Sequence, residues 1–211
     1  MRDTTSDYQP VIDEICGFNW NTLKESEITA AAWAYYYFSV QFRENLQLVS
    51  ALHPDDPSVQ ALMREECDTD NLSPWPHVAA PNEKMNHDEF MRRTLELSPI
   101  EDRVRAIIVQ AGERYLRNVR SIDDAIRAMS IASYEDGGLE AVFKAMLKVR
   151  HWDSPLLKAF RHFLTKHIGF DSDPEQGHGA MIRHLAPDDR IRRLWVEFRD
   201  LLLAAVPGLI I

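Results

Sequence analysis

Apolar residues recur along this chain at the three- and four-residue spacing of amphipathic helices. No run alternates between apolar and polar residues in the way of a half-buried strand. The segment from His53 to Pro57 ends one long periodic stretch, and Pro57 suits the first turn of the next helix. The sequence therefore predicts an all-α bundle of seven to eight helices, folded as one domain over residues 1–211.

Three local signals refine this prediction. Ser26 is placed to cap the long helix that we expect from about Glu27 to Leu52. Residues 68–85 contain three prolines and predict an irregular loop, which is long for a compact domain and typical of a functional connection. The helical pattern over residues 122–148 contains Gly137-Gly138, so we expect a bend or an interruption there.

Composition excludes several classes of protein. The net charge of −9 argues against a nucleic-acid-binding protein, because binding of nucleic acid usually requires a basic face. Two cysteines do not make a disulfide framework, so we expect a reducing, cytoplasmic location. We find no signal-peptide pattern and no apolar run of the ~20 residues that a membrane span requires. The apolar segment 206–211 predicts packing against the bundle or against a second subunit in a homodimer.

A segment near the C-terminus carries residue types that first-row metals take as ligands. His167 and Asp171 are four residues apart, so both project from one face of a helix. His178 would lie roughly 16 Å further along an unbroken helix, too far for the same centre. Pro174 and Gly177 break that helix and allow the chain to fold His178 back. The segment predicts three metal ligands.

Earlier parts of the chain offer three further ligands. Glu65-Glu66 ends one helical stretch, and Glu66 is preferred because it follows Leu62 by four residues and shares its buried face. His87 begins the next helix. Glu135 follows a small-residue stretch suited to burial, whereas the alternative Glu140 has Lys144 four residues on as a surface partner. Three carboxylates and three imidazoles would suffice for two ions that share a bridging carboxylate.

This order of ligands resembles the haem-oxygenase-like di-iron oxidases, which are related in fold to haem oxygenase and TenA. Three matches over roughly residues 30–185 carry the resemblance: the aromatic helix 33–42, Glu65-Glu66 with residues 86–90, and His167 through Asp171 to residues 178–179. The family's final histidine follows its aspartate by three residues, whereas here the interval is seven. The nearest substitutes for that ligand are Asp173, Glu175 and His184.

The resemblance implies a haem-oxygenase-like bundle that binds two Fe(II) ions and uses O2 to oxidise a small organic substrate. Amino acids, amines and fatty acids are the substrate classes, commonly in biosynthetic pathways, and an electron donor is a further partner. No catalytic residue is expected beyond the metal ligands. The implied ligands are Glu66, His87, Glu135, His167, Asp171 and His178.

Three other interpretations remain open at the level of sequence. The first is a metal-free enzyme of the same fold, resembling TenA or pyrroloquinoline-quinone synthase, in which Cys67 would be the candidate nucleophile. The second is a haem protein with His87 or another histidine as axial ligand. The third is a non-catalytic helical partner protein. Only the di-metal interpretation requires His167, Asp171 and Glu135 to meet in one buried place.

Overall fold

The computed structural model describes residues 7–67, 69, 74–171 and 177–210, with the side chains of residues 170 and 171 excepted. In this part of the chain every regular element is a helix, and two isolated β-bridges are the only strand-like pairings. The α-helices are α1 Gln9–Cys16, α2 Glu25–Leu52, α3 Pro57–Glu66, α4 His87–Leu95, α5 Asp102–Arg120, α6 Asp124–Ser133, α7 Leu139–Met146, α8 Pro155–Asp171, α9 His178–Ile182 and α10 Arg192–Ala205.

The all-α prediction is confirmed, but the described residues form ten α-helices rather than seven to eight. Two features account for the difference. The segment expected as one bent helix is divided into α6, a π-helical turn over Tyr134–Gly138, and α7. In addition, the five-residue helix α9 follows α8 as a separate element. No helix in the described ranges is long and apolar enough to cross a membrane.

Helix α2 is the central element of the bundle. It packs against α4, α5, α6 and α10, and its small and aromatic residues are buried over most of its length. The ring of Phe38 packs at a tilt against Phe198 on α10, with 4.2 Å between ring centroids, and Tyr134 and Trp195 pack edge to face at 5.0 Å. These large buried rings remove much apolar surface from water, which is the main favourable contribution to folding.

The start of α2 differs from the prediction. Ser26 lies inside the helix, which begins at Glu25 with Lys24 as its cap residue. The reason is a contact from the first turn back to the cap residue: the backbone N–H of Lys24 donates to Glu27 Oε2 at 2.8 Å. A carboxylate in the first turn also complements the positive end of the helix dipole, so Glu27 stabilises an earlier start.

The irregular segment before α4 is attached to that helix by one arginine. Arg93 donates through Nη1 to the Val78 carbonyl at 3.0 Å and to Glu83 at 2.7 Å, and through Nε to Glu89 at 2.7 Å. The described residues 74–86 are non-helical, as predicted. This attachment fixes the connection that leads into His87, the first residue of α4.

Candidate metal centre

Helix α3 ends with two adjacent carboxylates that face opposite environments. Successive helical residues are rotated by about 100°, so neighbours cannot share a face. Leu62 is fully buried, and Glu66, one turn later, has a side chain only 2% exposed. The Glu65 side chain is 49% exposed. The preference for Glu66 as the inward-facing carboxylate therefore agrees with the structure.

Glu66 meets two histidines that come from distant parts of the chain. Glu66 Oε2 lies 3.0 Å from Nδ1 of His87, the first residue of α4. Nε2 of His167 on α8 lies 3.1 Å from the same His87 nitrogen. All three residues are buried, and one ligand atom from each lies within 4.8 Å of the others. We call Glu66, His87 and His167 the first triad.

The ring of His167 is oriented by its own helix. Its Nδ1 lies 2.9 Å from the carbonyl oxygen of Phe163, one turn earlier in α8. A carbonyl can only accept, so Nδ1 carries the proton and the lone pair of the neutral ring is on Nε2. The ring of Phe163 packs at 4.1 Å against His167. The unprotonated Nε2 of His167 therefore points toward the other two members of the first triad, in the form that binds a metal.

A second group of ligand atoms shares Glu66. Glu66 Oε1 lies 2.8 Å from Nδ1 of His178, and Glu135 Oε2 lies 3.4 Å from the same nitrogen. These three residues are also buried, with ligand atoms within 4.8 Å of one another. We call Glu66, Glu135 and His178 the second triad. The two oxygens of one carboxylate thus belong to two adjacent groups, which is the arrangement of a bridging ligand.

Glu135 reaches the second triad because the backbone is distorted at that point. It lies in the π turn Tyr134–Gly138, where Asp136 is non-helical and Gly137 has φ +90°. Glycine adopts this positive φ without the steric cost that a Cβ would add. Single π turns within α-helices are frequent at functional sites. The predicted interruption at Gly137-Gly138 is confirmed, and it turns the buried Glu135 side chain toward His178.

Helix α9 approaches this turn very closely. An added Cβ at Gly179 would lie only 2.7 Å from the Glu135 carbonyl oxygen and 3.0 Å from Asp136 Cα. Any larger residue would therefore push α9 away from the π turn. Helix α8 ends at Asp171, and the extended Gly177 precedes His178 at the start of α9. As the sequence predicted, His178 is not on a continuation of α8.

Electrostatics favours the ligand-competent form of two of these groups. Burial raises the pKa of Glu66, but the neighbouring imidazoles of His87 and His178 outweigh it and hold the pKa well below its usual range. Burial lowers the pKa of His167 to about 3, with His87 as a further cause. Near neutral pH Glu66 is thus a carboxylate and His167 a neutral imidazole, the two forms that metals bind.

The centre has the properties expected of a metal site. His87 Nε2 is buried and has no hydrogen-bond partner in the described structure. Burying a carboxylate and leaving polar atoms unsatisfied costs several kcal/mol unless a partner compensates. Two carboxylates and three imidazoles form a mixed oxygen and nitrogen donor set, which suits iron or manganese. The residues present therefore fit a pair of such ions.

Five of the six residues predicted as ligands meet in this centre, and whether they bind metal stays a prediction. The sixth, Asp171, lies at the end of α8, but its side chain is outside the described residues. Asp173 and Glu175, two of the substitutes, also lie outside them. The third substitute, His184, is instead exposed and paired with Asp56 at 2.6 Å.

The alternative candidates have other surroundings. Glu140 pairs with Lys144, as the surface interpretation predicted. Cys67 is half-buried and forms no disulfide. Sequence reasoning missed the Phe163 carbonyl, which a four-residue spacing to His167 could have indicated. It also missed the close approach at Gly179, for which the sequence has no specific signal.

Comparisons with protein-family models, curated proteins and solved structures found no match to this chain. The functional interpretation therefore rests on the geometry and chemistry of the two triads.

Proposed function

We propose that this protein is a non-haem di-iron enzyme that uses O2 to oxidise a small organic substrate. One observation carries the proposal: two buried triads of metal-binding side chains share the single carboxylate of Glu66. A shared carboxylate between adjacent groups of histidine and glutamate is the arrangement that carboxylate-bridged pairs of metal ions require.

The proposed ligands are divided between the two triads. His87 and His167 would hold one ion, Glu135 and His178 the other, and Glu66 would bridge them. Bound Fe(II) would supply the reaction with O2 and the electrons that reduce it, which the side chains of this site do not provide. We propose two Fe(II) ions as the resident cofactor and O2 as the co-substrate.

The chain itself contributes orientation and exclusion of water. The Phe163 carbonyl fixes the protonation of His167, and the π turn directs Glu135 inward. The rings of Phe143 and Phe163 pack at 5.7 Å and 4.1 Å from His167. Apolar walls of this kind keep bulk water from the ligands and strengthen the electrostatic interactions between them.

The order of the ligands along the chain supports placing the protein with the haem-oxygenase-like di-iron oxidases. The all-α architecture agrees with that class of fold. On this proposal the substrate is an amino acid, an amine or a fatty acid in a biosynthetic pathway, and a redox partner supplies further electrons when the reaction needs them. The net charge of −9 is contrary to a nucleic-acid substrate.

Anaerobic reconstitution with Fe(II) tests the proposal. We expect two ions per chain by metal analysis, and O2 consumption when the loaded protein is exposed to air. Glu66→Ala should abolish stable binding of both ions. Glu140→Gln is the matched control, because it removes a carboxylate that pairs with Lys144 outside the centre. Near-zero bound iron in the wild-type chain, together with no O2 consumption, would refute the proposed function.

A further inference from the structure

The imidazole of His178 lies between carboxylates on both of its sides. Its Nδ1 faces the buried Glu66 and Glu135, as described above. Its Nε2 faces outward and lies 3.3 Å from Oε2 of Glu65. Glu65 and Glu66 are adjacent in α3, so the last turn of one helix contacts both nitrogens of one ring.

His178 and His167 occupy different positions in their helices. In α8 the Phe163 carbonyl, one turn before His167, fixes that ring. His178 is the first residue of α9, so its own helix has no preceding turn to supply such a carbonyl. A metal-binding histidine almost always donates its second N–H to a carboxylate, a carbonyl or water. Glu65 Oε2 is a carboxylate oxygen placed near Nε2.

We propose that Glu65 is a positioning residue for the second triad: its carboxylate accepts a hydrogen bond from the Nε2–H of His178 and so directs Nδ1 at Glu66 and Glu135. This inference rests on the proposed function, because it assigns Nδ1 as the metal-binding atom. It also gives the two adjacent glutamates different roles. Glu66 would bind metal directly, and Glu65, at the solvent-exposed edge of the centre, would act only through His178.

Nitrogen-15 NMR of the histidine side chains in the metal-free full-length chain tests the contact without iron. We expect a protected Nε2–H signal for His178 in the wild type and in Glu140→Ala. In Glu65→Ala that proton should exchange rapidly with water, because its acceptor is lost. Glu65→Gln should retain part of the protection, since the amide oxygen still accepts. An unchanged Nε2–H signal in Glu65→Ala would overturn the proposal.

Anaerobic titration with Co(II) tests the consequence for metal binding, because its visible spectrum reports ligand geometry. Loss of an outer-shell partner typically lowers metal affinity by about 10–100-fold. We expect a loss of about tenfold for the weaker-held ion in Glu65→Ala, with an altered cobalt spectrum, and a smaller loss in Glu65→Gln. Glu140→Ala should retain the wild-type affinity and spectrum, although it removes the same charge.

The outcomes separate this inference from the proposed function. Equal affinities and spectra in Glu65→Ala and Glu140→Ala would overturn the positioning role while leaving the metal centre intact. If the wild-type chain binds no Co(II) and no Fe(II), the metal centre is refuted. The NMR comparison then decides alone whether Glu65 orients His178.

Discussion

The two triads share one carboxylate but are built from different kinds of structure. The first uses His87 and His167, which belong to the regular helices α4 and α8 and are backed by the ring of Phe163. The second uses Glu135 from a π turn and His178 from a five-residue helix. Regular helices hold ligands through their own packing, whereas the second triad depends on a close approach between two irregular segments. We therefore expect the second triad to bind its ion less tightly.

Removing the shared carboxylate should have the largest effect, because it breaks both triads at once. In Glu66→Ala we expect neither ion to remain bound after desalting, as measured by iron analysis under anaerobic conditions. The helical circular dichroism signal should stay close to wild type, since the helices are held by the apolar core. One ion retained in full in Glu66→Ala would show that the carboxylate does not bridge.

Single-triad variants should each affect one ion. His167→Ala removes a ligand of the first triad alone, and Glu135→Ala removes one of the second alone. We expect each variant to hold about half of the wild-type iron, with Mössbauer spectra that show one remaining site. The remaining signals should differ between the two variants. Loss of both ions in either variant would show that the two triads bind their ions cooperatively and not independently.

A change at Gly179 should weaken the second triad without touching a ligand. Gly179→Ala would place Cβ 2.7 Å from the Glu135 carbonyl oxygen, so α9 must shift away from the π turn. Overpacking of this kind costs about 1–3 kcal/mol of folding free energy. We expect a lower urea midpoint and a selective loss of the weaker-held ion.

Gly169→Ala is the matched control for that prediction. Among the described residues no atom lies within 4 Å of a Cβ added at Gly169, and the residue lies within α8. Alanine is favoured over glycine in helices, so we expect stability to rise by up to about 1 kcal/mol with iron content unchanged. If both alanine variants lose iron equally, the close approach at Gly179 is not what positions the second triad.

The smallest expected effect concerns the surface of the helix that carries His87. A hydrogen bond from Arg92 is the largest cause that lowers the pKa of Glu89, with a further bond from Arg93, and the net pKa is about 2 against an ordinary 4.5. The folded state thus favours the ionised carboxylate. The contribution of the ionised Glu89 carboxylate to the free energy of unfolding is complete above about pH 4.5 and is lost as the pH falls toward 2.

Glu89→Gln should therefore lower stability near neutral pH and have little effect near pH 2. Solvent screening limits such pairs, so we expect a loss of about 0.5 kcal/mol in urea unfolding at pH 7. Glu113→Gln, an exposed change on α5, is the control and should have no comparable effect at either pH. A deficit in Glu89→Gln that persists at pH 2 would contradict the linkage.

The first triad was predicted partly from helical spacing and partly from the family resemblance, which gave His87 its role as a ligand. Glu66 was distinguished from Glu65 by its four-residue distance from Leu62, and the two residues indeed face opposite environments. His167 followed from its four-residue spacing to Asp171, which puts both residues on one face of a helix. In regular helices the direction of a side chain depends on local spacing alone, so sequence carries the information.

The second triad could be predicted only in part. The glycine pair indicated an interruption, and burial indicated Glu135, but no local pattern encodes how α9 returns to the π turn. That return depends on tertiary contact between Gly179 and the Glu135 backbone. The contact between Glu65 and His178 was missed for the same reason, because the two residues are brought together only by the folded chain.

The adjacency of Glu65 and Glu66 has a consequence for how this chain can vary in length. One residue inserted into or deleted from α3 would rotate its last turn by about 100° relative to the core. The outward glutamate would then take the place of the inward one, or both would leave the centre. Substitutions on the exposed face of α3 should therefore be tolerated far better than insertions or deletions, and a library of length variants of this helix should lose iron almost without exception.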